Sequence, residues 1–281
     1  MTNKYIKGLR YVPSLPTVLA KIMALLDDEK TSVADLEAVI VRDQALTSKV
    51  LSIANSAYWG LRHEVVSIER ATVLLGFEEI SNICLGAGLI GFLHPSIFRN
   101  REGAEQLWLH TLAVAEAAQA ISREMAFIEA GSAFTAGLLH DLGKAVLAAF
   151  HPGDVEDVLR LMQREKLSFR QAEMANECDH AAIGGELAQH WGIPASLGQV
   201  MAMHHEPPPD AQLEPLVAAV HAADYLVRDM GIGDSGNPDK PTVEARVLDW
   251  LGLGDSLLRS IKRDLAWRRP AIEDLWKELI S

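Results

Sequence analysis

Basic charge, cysteine and strand-like alternation are all scarce in this chain of 281 residues. Its 26 Lys and Arg face 38 Asp and Glu, which leaves a net charge of −12 at pH 7. Binding a phosphate backbone by counterion release needs a basic face, so this balance argues against a nucleic-acid polymer as partner. The same acid excess disfavours an anionic membrane surface. Two cysteines, Cys84 and Cys178, are too few for a disulfide framework and suit a reducing cytoplasm. Long hydrophobic runs are also wanting. The stretch LLGFEEISNICLGAGLIGFL is cut by Glu78, Glu79, Ser81 and Asn82, so no membrane span is expected. The opening segment MTNKYIKGLRYVPSLP lacks the apolar core of a signal peptide. What remains is a globular balance, 49% hydrophobic and 23% charged, unlike the composition of disordered chains.

Apolar residues recur at spacings of three and four along nearly the whole chain, which predicts an all-α fold. Val18, Leu19, Ile22, Leu25 and Leu26 make the first such face. Thr31 or Ser32 caps the next helix, with Asp35 answering the dipole, and a longer helix is expected through ALTSKVLSIANSAYW. Ser67 caps a helix that Gly76 ends. Further helices are expected at 78–93, 104–125, 132–150, 153–165, 168–177, 180–191, 194–205 and 214–230. Gly192 followed by Pro194 is a stop and restart. The breaks at HPSIFRNREG, with Pro95 among them, and at GIGDSGNPDKP suggest three parts. These are an N-terminal helical lobe over 1–102, a histidine-bearing lobe over 103–230, and a linker with C-terminal helices over 231–281. The string GAGLIG matches G-x-G-x-x-G, but no strand precedes it, so close helix packing is the better account.

Chemistry gathers around His110, His140, Asp141, His180, His204, His205 and Asp224, each set among Leu, Ala, Val and Met. A lone histidine on an apolar helix is more often a hydrogen-bonded structural residue than a ligand, and a buried polar network of the same groups is the bland alternative. An unsatisfied buried polar group costs about 1–3 kcal/mol, however, and a metal would satisfy all seven together. Imidazoles with one or two carboxylates suit Fe, Mn, Zn or Ni better than Ca or Mg. Seven side chains exceed the usual number for one ion, so two ions sharing Asp141 is the economical arrangement, and such pairs serve in-line phosphoryl displacement. Lys144 shares a helical face with His140 and Asp141, while Gly137 and Gly184 would let a substrate or another helix come close. His221, three residues before Asp224, is a candidate to orient it. In NSAYWG, Asn55 and Ser56 are read first as cap and turn residues and second as part of a ligand or partner site.

From about residue 8 to 225 the chain resembles the HDOD domain, a divergent branch of the HD metal-dependent phosphohydrolase superfamily found in bacterial signalling proteins. The resemblance rests on SLPTVLAKIMALL, VRDQALTSKVLSIANSAYWG, VVSIERATVLLGFEEISNICL, HDLGK and DHAAIGGELAQHWGIP. It extends to the HD-GYP phosphodiesterases, whose ligand order of His, His-Asp, His, His-His and Asp is met by His110, His140 with Asp141, His180, His204 with His205, and Asp224. Two departures stand out. Gln106 occupies the place of a glutamate ligand, and HHEPPPD lacks the GYP signature, so cyclic di-GMP hydrolysis is poorly supported. The resemblance implies an HD-like bundle holding a divalent transition metal, two ions with Fe or Mn favoured. It also implies metal-assisted hydrolysis of a phosphoester such as a nucleotide or cyclic nucleotide, with Lys144 touching phosphate and Asp141 at the catalytic centre. The rival expectation is a non-catalytic module that binds other signalling proteins around a structural or empty site.

Overall fold

The computed structural model describes residues 14–280 apart from 27–29, 57, 95–97, 126, 129 and 210–211. Pro95 and most of the acidic run DDEK lie outside the described residues. Among them helices are the regular structure, with no strand. The helices are α1 (Thr17–Leu26), α2 (Val33–Ile40), α3 (Gln44–Ala54), α4 (Ile68–Leu75), α5 (Phe77–Phe92), α6 (Arg101–Arg123), α7 (Ala130–Leu139), α8 (Leu142–Phe150), α9 (Pro152–Glu165) and α10 (Phe169–Ala175). They continue with α11 (His180–Trp191), α12 (Ala195–Met203), α13 (Pro215–Asp229), α14 (Ala245–Trp250) and α15 (Asp255–Ile280).

The chain divides into two compact units. One contains Leu15–His94 with Ala266–Ser281, and the other contains Pro95–Leu265. Residues 231–281, expected to act as one linker and extension, are therefore shared between them. The reason lies in the two ends of α15, which bury different apolar residues: Ile261 and Leu265 at one end, Ile272, Leu275 and Trp276 at the other.

In the first unit the local signals work as their chemistry requires. The Ser32 hydroxyl accepts from Asp35 N at 3.3 Å while Asp35 Oδ2 accepts from Ser32 N at 3.0 Å, a reciprocal capping box. Ser67 accepts from Arg70 N, and Gly76 takes a positive φ of 100° after α4. Inside the GAGLIG string, a methyl on Gly88 would sit 2.2 Å from Leu19 Cδ2, so this glycine lets α5 lie against α1. The helix expected through residue 59 stops at Ala54 because Asn55 turns the chain. Its Nδ2 donates to Leu51 O and Val65 O at 2.8 Å, and its Oδ1 accepts from Val65 N at 2.7 Å. Tyr58 receives a hydrogen bond from Arg268, and Lys49 Nζ donates to Glu278 O at 2.8 Å, which fixes the last residues onto this unit.

In the second unit α6 is buried along most of its length and packs chiefly on α7 and α13. Small residues permit the approach: a methyl on Gly137 would lie 2.6 Å from Ala115 Cα. The single helix expected over 132–150 is two, broken at His140 and Asp141. Together they form a stretch, Ala130–Phe150, that is long and apolar enough to cross a bilayer, contrary to the sequence expectation of none. It is 83% buried inside the protein and serves as core.

Replacing Asn55 with Ala removes three hydrogen bonds and leaves the Val65 N–H without that acceptor. The expected loss is about 1–3 kcal/mol, read as a lower urea midpoint at unchanged slope.

Candidate metal centre

The helix break at His140 and Asp141 is where the site begins. Asp141 occupies the N-cap position of α8 with φ −99° and ψ 14°, yet its carboxylate caps no backbone N–H. It points into the protein. Oδ2 lies 2.8 Å from Lys144 Nζ, 3.3 Å from His140 Nε2 and 3.7 Å from His110 Nε2. Oδ1 lies 3.3 Å from His180 Nε2 and 3.5 Å from His204 Nε2. The two oxygens thus address two groups of imidazoles. His205 Nε2 joins the second group at 2.9 Å from His180 Nε2, and Asp224 Oδ1 joins the first at 3.1 Å from His110 Nε2. All seven side chains singled out in the sequence, with Lys144, are brought to one place. Six of the seven fall into two sets that share Asp141, one with His110 and His140, the other with His180, His204 and His205, and Asp224 stands beside His110.

Several elements supply this geometry. His110 comes from the middle of α6, His140 and Asp141 from the turn between α7 and α8, and His180 from the first residue of α11. His204 and His205 follow the last residue of α12, and Asp224 lies in α13. Four of these residues therefore sit in turns rather than on helices, a difference from the sequence expectation. A turn residue can aim its side chain away from the helix face that the core already occupies. The small residues prove to admit backbone rather than ligand. Gly143 packs so tightly on α11 that a methyl there would lie 2.1 Å from His180 O, and Gly184 faces Met201 of α12.

The second nitrogen is occupied in three of the imidazoles. His140 Nδ1 donates to Gly137 O at 2.7 Å, and His204 Nδ1 donates to Val200 O at 3.1 Å. His180 Nδ1 meets both oxygens of Glu173, at 2.6 and 2.8 Å. Such bonds set the tautomer and turn Nε2 inward as a lone-pair donor, the arrangement that metal-binding histidines use. Four of the inward atoms, His110 Nε2, His140 Nε2, His204 Nε2 and Asp141 Oδ1, are buried without a hydrogen bond, whereas His180 Nε2 and His205 Nε2 meet each other. Native proteins rarely leave so many adjacent buried polar atoms unsatisfied. An N/O donor set of this kind fits a divalent transition metal.

The electrostatics point the same way for five of the seven groups. Burial alone would raise Asp141, but the charges of His140 and Lys144 outweigh it and hold the carboxyl well below its usual range. Asp224 is held low by His110 and His140 against the same effect of burial. Burial pushes His110 down and His204 down to about 4. His205 is lowered by burial and by its neighbours His204, His180 and Lys144. These groups are in the deprotonated forms that coordination requires. His180 and His140 move upward against burial because Glu173 and Asp141 lie beside them.

Three features escape a reading of the sequence. Glu173 is 2% exposed and bonds His180 from a different helix, seven residues upstream, a spacing that carries no signal. Arg170 backs it, pairing with Asp179 and approaching Glu173 at 3.6 Å. His221 donates to His204 O at 2.7 Å and accepts from Glu244 N, so it steadies the His204 turn rather than Asp224. Gln106 is exposed, and its carbonyl accepts from Asp234 N.

An HD-like helical bundle with a buried His/Asp cluster is thus in place, and the comparisons agree with it. The HDOD domain model matches residues 12–207, and the chain belongs to the HDOD family. An HDOD domain protein of unknown function from Geobacter sulfurreducens aligns at 25% identity and TM-score 0.77, covering 97% of each chain. A protein from Shewanella amazonensis, provisionally named a phosphohydrolase, aligns at 21% identity and TM-score 0.77 over 99% of this chain and 98% of its own, a likeness of fold. Among curated proteins, an uncharacterized protein of Treponema pallidum is 24% identical over 222 residues. That match takes in 77% of this chain but only 42% of the relative.

Gly143→Ala should be costly, about 1–3 kcal/mol, because backbone cannot give way to the new methyl. Gly153→Ala, whose methyl meets nothing within 4 Å, should stay within about 0.5 kcal/mol of the parent. Urea unfolding of both variants beside the parent checks the pair; equal stabilities would contradict the tight contact.

Proposed function

We propose that this HDOD chain is a metal-dependent phosphohydrolase of a bacterial signalling system, cytoplasmic, and that it acts on a small phosphoester such as a nucleotide or cyclic nucleotide. The observation that carries this reading is the pair of Asp141 oxygens directed at two separate imidazole sets, with the inward nitrogens of His110, His140 and His204 left without hydrogen bonds. His110, His140 and Asp224 on one side, and His180, His204 and His205 on the other, would hold two divalent ions with Asp141 between them, Fe or Mn before Zn or Ni. Ions bound there supply Lewis-acid activation of water and neutralise charge on phosphoryl oxygens.

The chain's own groups then divide the remaining work. Lys144 offers an ammonium with three N–H donors, of which Asp141 takes one, so it can also hold a phosphoryl oxygen. Glu173 keeps the proton of His180 on Nδ1, and the carbonyls of Gly137 and Val200 do the same for His140 and His204. Burial of the cluster limits bulk water and strengthens each of these interactions. The absence of the GYP sequence after His205 stands against cyclic di-GMP as substrate.

One observation favours a second reading, a regulatory module that binds other signalling proteins around a structural ion. Asp141 Oδ2 is already paired with Lys144 at 2.8 Å, and in the cluster only His205 is more than slightly exposed. Closed sites of that sort suit structural metals, whereas catalysis needs an open position.

Elemental analysis of the purified chain, followed by phosphodiesterase and nucleotidase assays with Mn²⁺ or Fe²⁺, tests the proposal. Transition metal should co-purify, raise the melting temperature by mass action, and be lost in Asp141→Ala together with any turnover. Glu173→Gln should weaken metal binding about 10- to 100-fold in a chelator competition while the fold stands. A chain that binds no transition metal ends the enzyme reading. Metal binding with no turnover, and an Asp141→Ala effect confined to stability or partner binding, selects the regulatory module.

A further inference from the structure

Beside the cluster, in the same unit, lies a cavity of about 310 Å³, at the lower end of the range for small-molecule sites. Its walls include Phe98, Leu107, Leu147, Val155, Leu159 and Phe169, so apolar surface predominates, while Asn100, Glu156, Asp234 and Ser235 also reach the lining. The gradient of exposure along its lining gives it a direction. Arg99 and Leu159 are open to solvent, with the Arg99 side chain 67% exposed, whereas Lys144 is 8% and Glu173 2% exposed. The deep end therefore contains the same ammonium that touches Asp141. Lys144 Nζ also stands 5.8 Å from the centroid of Phe169, which lines the cavity. Glu173 lies at this end too, but its carboxylate is committed to His180 and Arg170.

We propose that this cavity receives the apolar organic group of an anionic phosphoester, an aromatic ring or a short alkyl chain, whose phosphate is directed at Lys144. The lining matches such a ligand in its apolar walls and in the Lys144 ammonium at the inner end, while Arg99 at the entrance is paired with Glu156 at 2.6 Å. Because apolar surface predominates in the lining, an aromatic ring gains more by burial there than a ribose does. As a statement about substrate, this rests on the phosphohydrolase reading and narrows it from nucleotides to apolar esters. As a statement about binding, it stands without that reading.

The experiment measures affinity of the full chain for 1-naphthyl phosphate, methyl phosphate and adenosine monophosphate by calorimetry or ligand-observed NMR, with and without Mn²⁺. Naphthyl phosphate should bind at least about tenfold more tightly than either comparator, since only its ring buries apolar surface in the cavity. Ala148→Phe and, separately, Val155→Trp fill the cavity and should abolish that preference while leaving methyl phosphate binding as it was. Lys144→Met should weaken naphthyl phosphate but not 1-naphthol. Equal affinities for the three phosphates, or a preference that survives a folded cavity-filling variant, overturns the assignment. If neither filling variant folds, the three-ligand comparison on the parent chain and the Lys144→Met result decide it. A naphthyl preference without Mn²⁺-dependent hydrolysis leaves the cavity site standing and removes the enzyme reading.

Discussion

Burying one carboxylate, Asp141, is the constraint from which the site follows. An isolated ionised carboxyl in a protein interior is prohibitively costly unless cations or hydrogen bonds meet it. Here Lys144 meets one oxygen directly, and four imidazoles surround the pair at 3.3 to 3.7 Å. Meeting that requirement needs a break in the helix at residues 140 and 141, because a continuous helix would direct Asp141 along a face already filled by Leu and Ala. It also needs α11 close to α8, and Gly143 gives the separation that His180 requires.

The supporting residues matter as much as the seven facing the centre. Three of the imidazoles have the far nitrogen bonded, to a carbonyl for His140 and His204 and to Glu173 for His180. His221 adds a bond to the His204 carbonyl and receives one from Glu244. Arg246 donates to the carbonyls of Pro207 and Pro208, which closes the turn after the His pair. These contacts hold the rings in place, and the inward nitrogens of His140 and His204 stay without hydrogen bonds. Preorganisation of that kind lowers the cost of binding an ion, since the donors do not have to be gathered from competing hydrogen bonds.

Much of this was legible in the linear chain, and the particular residues explain where legibility stopped. Ser32, Ser67 and Asn55 act through neighbours within ten residues, so their capping and turning roles follow from residue type and position. The all-α pattern follows from apolar spacing alone. The break at His140 was not legible, because LLHDLGKAV keeps helical spacing through the turn and holds no proline. Glu173, Arg170 and the true partner of His221 were hidden as well. Glu173 and His221 act on residues from separate elements, where no spacing rule links them, and Arg170, one turn from Glu173 in α10, pairs outside its helix with Asp179.

By itself the sequence determined the helical class, the local caps and the identity of the donor groups, because those depend on side-chain chemistry and a period of 3.6 residues. It also brought an ordered set of His and Asp residues into view that single positions would not have disclosed. Only the tertiary structure decided that the set converges, with the two oxygens of Asp141 facing different imidazoles. It alone placed an apolar cavity on the far side of Lys144, a juxtaposition of α6, α8, α9 and α10. The reason is physical: convergence depends on how closely backbones approach at Gly137 and Gly143, and that distance is set by packing between elements far apart in the chain.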